Sequence, residues 1–184
     1  MLQDKLPFNM DSQSSKGWMD RAVKSADLIS SIIELSDKSL SIADVGCGDE
    51  KLRTVLKRLQ VVFRYQGYDL HPQSSNIKRF DANHELLDCD YDFVFSLGLT
   101  EYVDLANFFV STRKRCKFFV VSHVLRDLNN YSYLDLNRLG WINHLSSEEF
   151  ERELVNAQFN VIKSIFTSNR KTKIWLCSND DLLR

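Results

Sequence analysis

Residues 40–48, Leu-Ser-Ile-Ala-Asp-Val-Gly-Cys-Gly, decide the fold: an apolar run stops at two glycines separated by one residue. Ile42, Ala43 and Val45 have the near-continuous apolar character of a parallel strand covered on both faces, and Gly46 and Gly48 punctuate its carboxyl end. Beyond them Leu52, Val55, Leu56 and Leu59 fall at helical spacing, so the glycines lie between a strand and a helix over 49–59. In that setting glycine permits positive φ and lets a ligand approach the backbone with no β-carbon in the way. Residues 61–69, Val-Val-Phe-Arg-Tyr-Gln-Gly-Tyr-Asp, read as a second strand ending in Asp69. That acid lies about 20 residues past the glycines, where a carboxylate can accept hydrogen bonds from both hydroxyls of a ribose. A dinucleotide fingerprint requires a third glycine at 51, and this chain has Lys51. Asp44, two residues before the first glycine, is placed to meet an ammonium group rather than a pyrophosphate.

Three further stretches follow in order: Gly67-Tyr-Asp69, Phe80-Asp81-Ala82 and Asp90-Tyr-Asp-Phe-Val-Phe-Ser-Leu-Gly98. Together with Asp44-Val-Gly-Cys-Gly48, they resemble the motif series of the class I S-adenosylmethionine-dependent methyltransferases, over roughly residues 18–167. The resemblance implies an α/β, Rossmann-like doubly wound sheet, mostly parallel, with strand order 3-2-1-4-5-7-6 and strand 7 antiparallel. It implies S-adenosylmethionine as cofactor, with contacts from Asp44, Gly46, Cys47, Gly48, Asp69, Leu70, Asp81, Ala82, Ser96, Leu97 and Gly98. In such proteins an acid at the position of Asp81 accepts from the adenine amino group, with Phe80 and Ala82 flanking the base. The alternative is that Asp81 and Asn83 cap a short segment around 84–87, and the spacing from Asp69 favours the cofactor role. More narrowly, Ser96–Val103 followed by Asn137–Leu145 looks like small bacterial methyltransferases of polysaccharide or secondary pathways.

With 184 residues the chain is one domain by length and can bury a substantial core without disulfides or metal. Its net charge of -1 supplies no basic field to capture nucleic acid. The four cysteines, Cys47, Cys89, Cys116 and Cys177, include no close pair, which argues against a disulfide framework and a zinc site, and no metal ligands are assigned. Cytoplasmic residence is the expectation, with no apolar run long enough to span a membrane. Residues 1–16 lack periodicity and read as a mobile arm preceding a single domain over 17–184.

From Trp18 to Leu35 the apolar residues Trp18, Met19, Ala22, Val23, Ala26, Leu28, Ile29, Ile32 and Ile33 form one helical stripe, and core packing is the plain reading of Trp18 and Met19. A third strand is expected over 77–80 and a fourth, apolar on both faces, over 91–97. Reactive groups in open parallel sheets gather at the carboxyl edge of the strands, so Gly98, Leu99, Glu101 and Tyr102 should border the transferred group. Glu101 and Tyr102 equally suit the cap of the helix that continues through Phe108 and Phe109. Arg113-Lys-Arg-Cys-Lys117 reads as a solvated helix end before strand five, 118–124, on the face away from the pocket. The connection 124–146 is unusually long, and long connections are commonly functional. It carries Arg126, Tyr131, Tyr133, Arg138, Trp141, Asn143 and His144; with Glu101 and Tyr102, we assign Arg126, Tyr131, Tyr133 and Trp141 to the substrate, against the alternative of a loop that only closes the core. Ser146-Ser-Glu-Glu-Phe opens a helix with Phe150, Leu154 and Val155 as its buried stripe, and 159–167 and 171–177 form a closing hairpin.

Methyl transfer from a sulfonium is an in-line displacement that needs alignment and exclusion of water. An alcohol acceptor also benefits from a base within about 3 Å of its proton, and His123 and His144 are the candidates. The expected function is therefore methyl transfer to a small molecule or glycan. Because no residue is an obligatory catalyst, a methyltransferase-like binding or partner module without catalysis is the alternative. A nicotinamide oxidoreductase fits least, for want of the third glycine and of a Tyr-x-x-x-Lys pair.

Overall fold

The computed structural model describes residues 15–34, 39–58, 60 and 62–182. One seven-stranded sheet runs through them in the order β3-β2-β1-β4-β5-β7-β6. Its strands are β1 (Leu40–Val45), β2 (Phe63–Asp69), β3 (Ile77–Arg79), β4 (Tyr91–Leu97), β5 (Cys116–Val124), β6 (Asn160–Phe166) and β7 (Thr172–Ser178). The first five pair in parallel, and β7 runs antiparallel to both β5 and β6. This is the doubly wound topology, with the order and the antiparallel seventh strand that the motif series implies.

Adjacent strand residues point to opposite faces, and each face is apolar. Ile42, Phe93, Phe95, Val120 and Ile174 pack under α1 (Ser15–Glu34) and α2 (Lys51–Arg58), which contribute Ala22, Ala26, Ile29, Leu52 and Leu56. Ala43, Val94, Phe119, Val121 and Trp175 face α3 (Leu105–Arg113) and α5 (Ser147–Asn156), which contribute Phe108, Phe109, Phe150 and Leu154. Phe150 stacks on Trp175 at 4.6 Å, and Phe119 on Phe159 at 5.1 Å. Ser146 caps α5 reciprocally with Glu149, as its sequence predicts.

Several boundaries and faces differ from expectation. The predicted arm falls outside the described residues over 1–14, whereas Ser15 and Lys16 belong to α1. Val23 and Val155, assigned to buried stripes, are 39% and 61% exposed. Both lie at the margin of an apolar arc whose centre is already filled. The connection 124–146 is not a plain loop: a 3-10 turn at Arg126–Leu128 leads to α4 (Tyr133–Leu139). Ser132 and Asp135 form a capping box for α4, and Gly140 ends it at φ 70. The basic cluster is tied down by ion pairs of Arg113 with Asp181, Arg115 with Asp90 and Lys117 with Asp92, at the amino edge of β5 and away from the glycine turn. Among the described residues no helix is long and apolar enough to cross a membrane, and no cluster of His, Cys, Asp and Glu is arranged to hold a metal ion.

Candidate functional site

The carboxyl ends of β1, β2 and β4 meet at one edge of the sheet. Gly46 (φ 75) and Gly48 (φ 51) turn the chain out of β1, and the Gly46 and Cys47 amides both donate to the Tyr68 carbonyl of β2, at 2.8 and 3.1 Å. A Cβ on Gly46 would meet the Leu99 side chain at 3.1 Å, whereas one on Gly48 would find nothing within 4 Å. At Gly48 the turn thus offers bare backbone beside open space, while Leu99 covers Gly46.

Asp69 closes the turn from the neighbouring strand. Its Oδ2 accepts from the Gly48 amide at 3.0 Å and its Oδ1 from the His71 amide at 2.9 Å. Two fixed donors hold the carboxylate in one orientation, with a lone pair on each oxygen to spare. Asp44 is buried beneath the turn and accepts from the Tyr65 hydroxyl at 2.5 Å. Burial pushes its carboxyl up to about 7, against the lowering effect of the Tyr65 hydrogen bond. The Cys47 thiol is also buried and is pushed up by desolvation and by the carboxylates of Asp44 and Asp69. Leu70 is half-buried beside Asp69.

At β3, Phe80 and Ala82 are buried and Asp81 is half-exposed. Asp81 caps the following turn: Oδ1 accepts from the Asn83 amide and Oδ2 lies 3.0 Å from His84 Nδ1, the hydrogen bond that does most to hold its carboxyl below the ordinary range. The capping role is therefore realised, and each oxygen keeps a lone pair for a further donor.

β4 ends with buried Ser96 and Leu97 and then Gly98, at φ 106. A Cβ on Gly98 would lie 2.1 Å from Trp18 Cζ3 and 2.4 Å from Arg21 Nη1. Trp18 thus does more than fill the core: α1 lays its indole on the end of β4, and the Arg21 guanidinium stacks on that indole at 4.4 Å. Arg21 also donates to Thr172 Oγ1 at 3.3 Å, and desolvation lowers its pKa while the charge of Glu101, the largest opposing influence, raises it. Sequence reading did not single out Arg21; its signal was the i, i+3 spacing from Trp18, which puts both on the same helix face.

The segment after Gly98 is bound to the strap 141–145. The Glu101 carbonyl accepts from the Ile142 and Asn143 amides at 2.8 and 3.1 Å, and Asn143 Nδ2 donates to the carbonyls of Thr100 and Val103. Trp141 Nε1 donates to the Tyr102 hydroxyl at 2.9 Å, and Tyr131 and His144 pack against Trp141 at ring separations of 5.2 and 5.8 Å. Glu101, Tyr102, Tyr131, Trp141 and His144 are thereby brought together. Arg126 directs its guanidinium to Glu149 at 2.8 Å at the start of α5 while remaining near His144, and Tyr133, 76% exposed on α4, stands apart.

The two histidines differ. His123 is fully buried: Nε2 accepts from the Leu145 amide at 3.1 Å, so Nδ1 carries the proton and donates to Thr100 Oγ1 at 2.9 Å, which itself donates to the Ser122 carbonyl. Both nitrogens are committed to fixing the strap, and the expectation of a base at His123 gives way to a structural role. His144 Nε2 is buried without a hydrogen-bond partner, and desolvation, followed by the nearby Arg126, lowers its pKa and keeps the ring neutral.

No family model and no curated sequence matches the chain. Solved structures do. A chain of the Haloferax volcanii complex that contains the Trm112 methyltransferase activator superposes with a TM-score of 0.73 at 13% identity, covering 97% of this chain and 99% of that one. The mitomycin 7-O-methyltransferase MmcR gives 0.69 at 15% identity, covering 91% of this chain and 55% of its own. Magnesium protoporphyrin IX methyltransferase from Synechocystis, solved with bound S-adenosylhomocysteine, gives 0.63 at 14% identity, with 86% and 83% covered. At these identities the likeness shows the fold: the chain has the Rossmann-like architecture of the class I S-adenosylmethionine-dependent methyltransferases.

Proposed function

We propose that the chain transfers a methyl group from S-adenosylmethionine to a small-molecule or glycan acceptor at the carboxyl edge of β1, β2 and β4. The observation that carries this reading is the pairing of the Gly46–Gly48 turn, open at Gly48, with Asp69, whose carboxylate is held by the amides of Gly48 and His71. Those residues fit the group. Asp69 would receive the ribose hydroxyls, the turn at Gly48 would admit the chain of the ligand, and Phe80, Asp81 and Ala82 would border the base. The acid Asp44 beneath the turn suits an ammonium group above it.

Bound there, the cofactor supplies a methyl group whose C–S bond breaks as its bond to the acceptor forms, discharging the sulfonium charge. The chain's own work is alignment and desolvation. Trp18 and Leu99 cover Gly98 and Gly46 and keep water from the end of β4. Of the two candidate bases, His144, whose pKa is lowered by desolvation, is the one whose ring is not committed to fixing the strap, and we assign it the acceptor's proton.

Calorimetric titration of S-adenosylhomocysteine into the protein tests the reading, with Asp69→Ala beside the wild type. Two hydrogen bonds to a charged group, each worth about 1.5–3 kcal/mol and partly compensated by water, predict a loss of about 2–4 kcal/mol in the variant. Absence of binding by folded wild type, or unchanged affinity in folded Asp69→Ala, would overturn it.

A further inference from the structure

We propose that Asp44 makes cofactor binding pH-dependent: a ligand carrying an ammonium group expels the proton that this buried acid holds in the ligand-free protein, so the glycine turn binds weakly in acid and tightly at neutrality. The proposal rests on the methyl-transfer reading and adds a means of regulation to the same site.

The geometry gathers like charges around one turn. Asp44 of β1 stands opposite Gly67 of β2, and a Cβ at Gly67 would lie 2.8 Å from Cys47 Sγ and 3.5 Å from Glu50 Oε1, so Cys47 and Glu50 crowd the stretch of β2 that Asp44 pairs with. From β2 itself come Tyr65, whose hydroxyl donates to Asp44 Oδ2 at 2.5 Å, and Asp69, whose carboxylate accepts from the Gly48 amide. On the other side β4 pairs Asp44 with uncharged Phe95. The cations of α2 are engaged elsewhere. Arg53 donates to both oxygens of Glu50, at 3.1 and 3.2 Å, and lies over the Tyr65 ring at 5.6 Å, while Lys51 pairs with Asp49. Among the described residues neither Asp44 nor Asp69 forms an ion pair.

A carboxyl that is 3% exposed and surrounded by like charge keeps its proton. Desolvation raises Asp44 to about 7; the Tyr65 hydrogen bond opposes the rise, and the charges of Asp69 and Glu50 add to it. Desolvation and the carboxylates of Asp44, Asp69 and Glu50 push the Cys47 thiol up, so it stays neutral. Asp69 is the link to the ligand: it is half-buried, it holds the amide of Gly48 where the turn is open, and its charge is felt at Asp44. An ammonium group taken up at this turn offsets the repulsion among the carboxylates, and the Asp44 proton passes to solvent. Binding that releases a proton strengthens as pH rises, until the unbound acid is itself ionised above about 7.

Calorimetric titration of S-adenosylhomocysteine tests the coupling, with 5′-methylthioadenosine, which shares the nucleoside and thioether but has no ammonium group, as the comparison. From about pH 5.5 to about pH 7 the affinity for S-adenosylhomocysteine should rise about tenfold while that for methylthioadenosine stays level, and at about pH 6 the binding heats in buffers of different ionisation enthalpy should report release of about one proton. Asp44→Asn should abolish the rise and the release. Tyr65→Phe, which removes the hydrogen bond that lowers the acid, should move the rise to higher pH. The ligand comparison needs no variant and stands if Asp44→Asn fails to fold. A level affinity for S-adenosylhomocysteine, or a rise that methylthioadenosine shares, overturns the coupling and leaves the methyl-transfer reading intact. A rise retained in folded Asp44→Asn assigns the proton to another group, such as His71 or His84, and overturns the role of Asp44. Protein that binds S-adenosylhomocysteine at no pH overturns both readings together.

Discussion

Gly98→Ala is the sharpest perturbation of the site's architecture. Its cost has two parts. At φ 106 an L-residue is strained, at about 1–3 kcal/mol. The new methyl group would also sit 2.1 Å from Trp18 Cζ3 and 2.4 Å from Arg21 Nη1, and such overpacking adds about 1–3 kcal/mol. The sum, about 2–6 kcal/mol, is a large share of the stability of a domain this size. Gly48→Ala is the internal control: φ 51 is strained for alanine, but nothing lies within 4 Å, so only the backbone part, about 1–2 kcal/mol, applies. Urea denaturation followed by far-UV circular dichroism measures both. In a Trp18→Ala background the clash with the indole is gone and only the flexible end of Arg21 has to move, so Gly98→Ala should cost less there by about 1–2 kcal/mol, a coupling that a double-mutant cycle reads directly. Equal costs for Gly98→Ala and Gly48→Ala, or no coupling to Trp18, would refute the seating of Trp18 on the end of β4.

Two further outcomes follow from buried polar groups. Asp44 titrates at about 7 when folded, against an ordinary 3.8, so between those values the folded chain holds a proton that the unfolded chain has lost. The stability this confers is complete below pH 4 and is lost as the pH rises through about 7, on the order of 4 kcal/mol at about 1.4 kcal/mol per pH unit. Asp44→Asn mimics the protonated acid, so its stability advantage over wild type should widen from pH 4 to pH 8; a constant difference in urea midpoints would contradict the burial of an ionisable Asp44. His123→Phe preserves the stack on Phe150, at 4.7 Å, but orphans the Leu145 amide and should cost about 1–3 kcal/mol in denaturation, and a neutral effect on stability would remove its structural role.

Much of this was legible in the chain because strands covered on both faces write themselves as unbroken apolar runs. Residues 40–45 and 91–97 have that character, and the glycines that follow them mark the edge where the site forms. The strand order was not legible from periodicity; it came through the resemblance of the motif series. α4 escaped notice because seven residues are too few to display a helical stripe, although Ser132, Asp135 and Gly140 carried its cap signals. Side-chain direction within 124–146 was the least readable feature. Arg126 and Tyr133 are as aromatic or polar as Tyr131 and Trp141, and only packing distinguishes a residue paired with Glu149 from one that faces Tyr102. His123 and His144 likewise look alike in sequence and differ by what their ring nitrogens meet in space.

The placement of β7 bears on how the chain is made. Among the described strands it comes last in sequence, yet it lies between β5 and β6 and pairs with β5 along Phe118–Val124. Until Thr172–Ser178 leaves the ribosome, the central half of the sheet presents an unpaired edge along β5, where Val120 and Val121 make the two opposite faces apolar. Such an edge invites a foreign strand. The consequence is that β5 stays open to mispairing for as long as Thr172–Ser178 takes to emerge and dock.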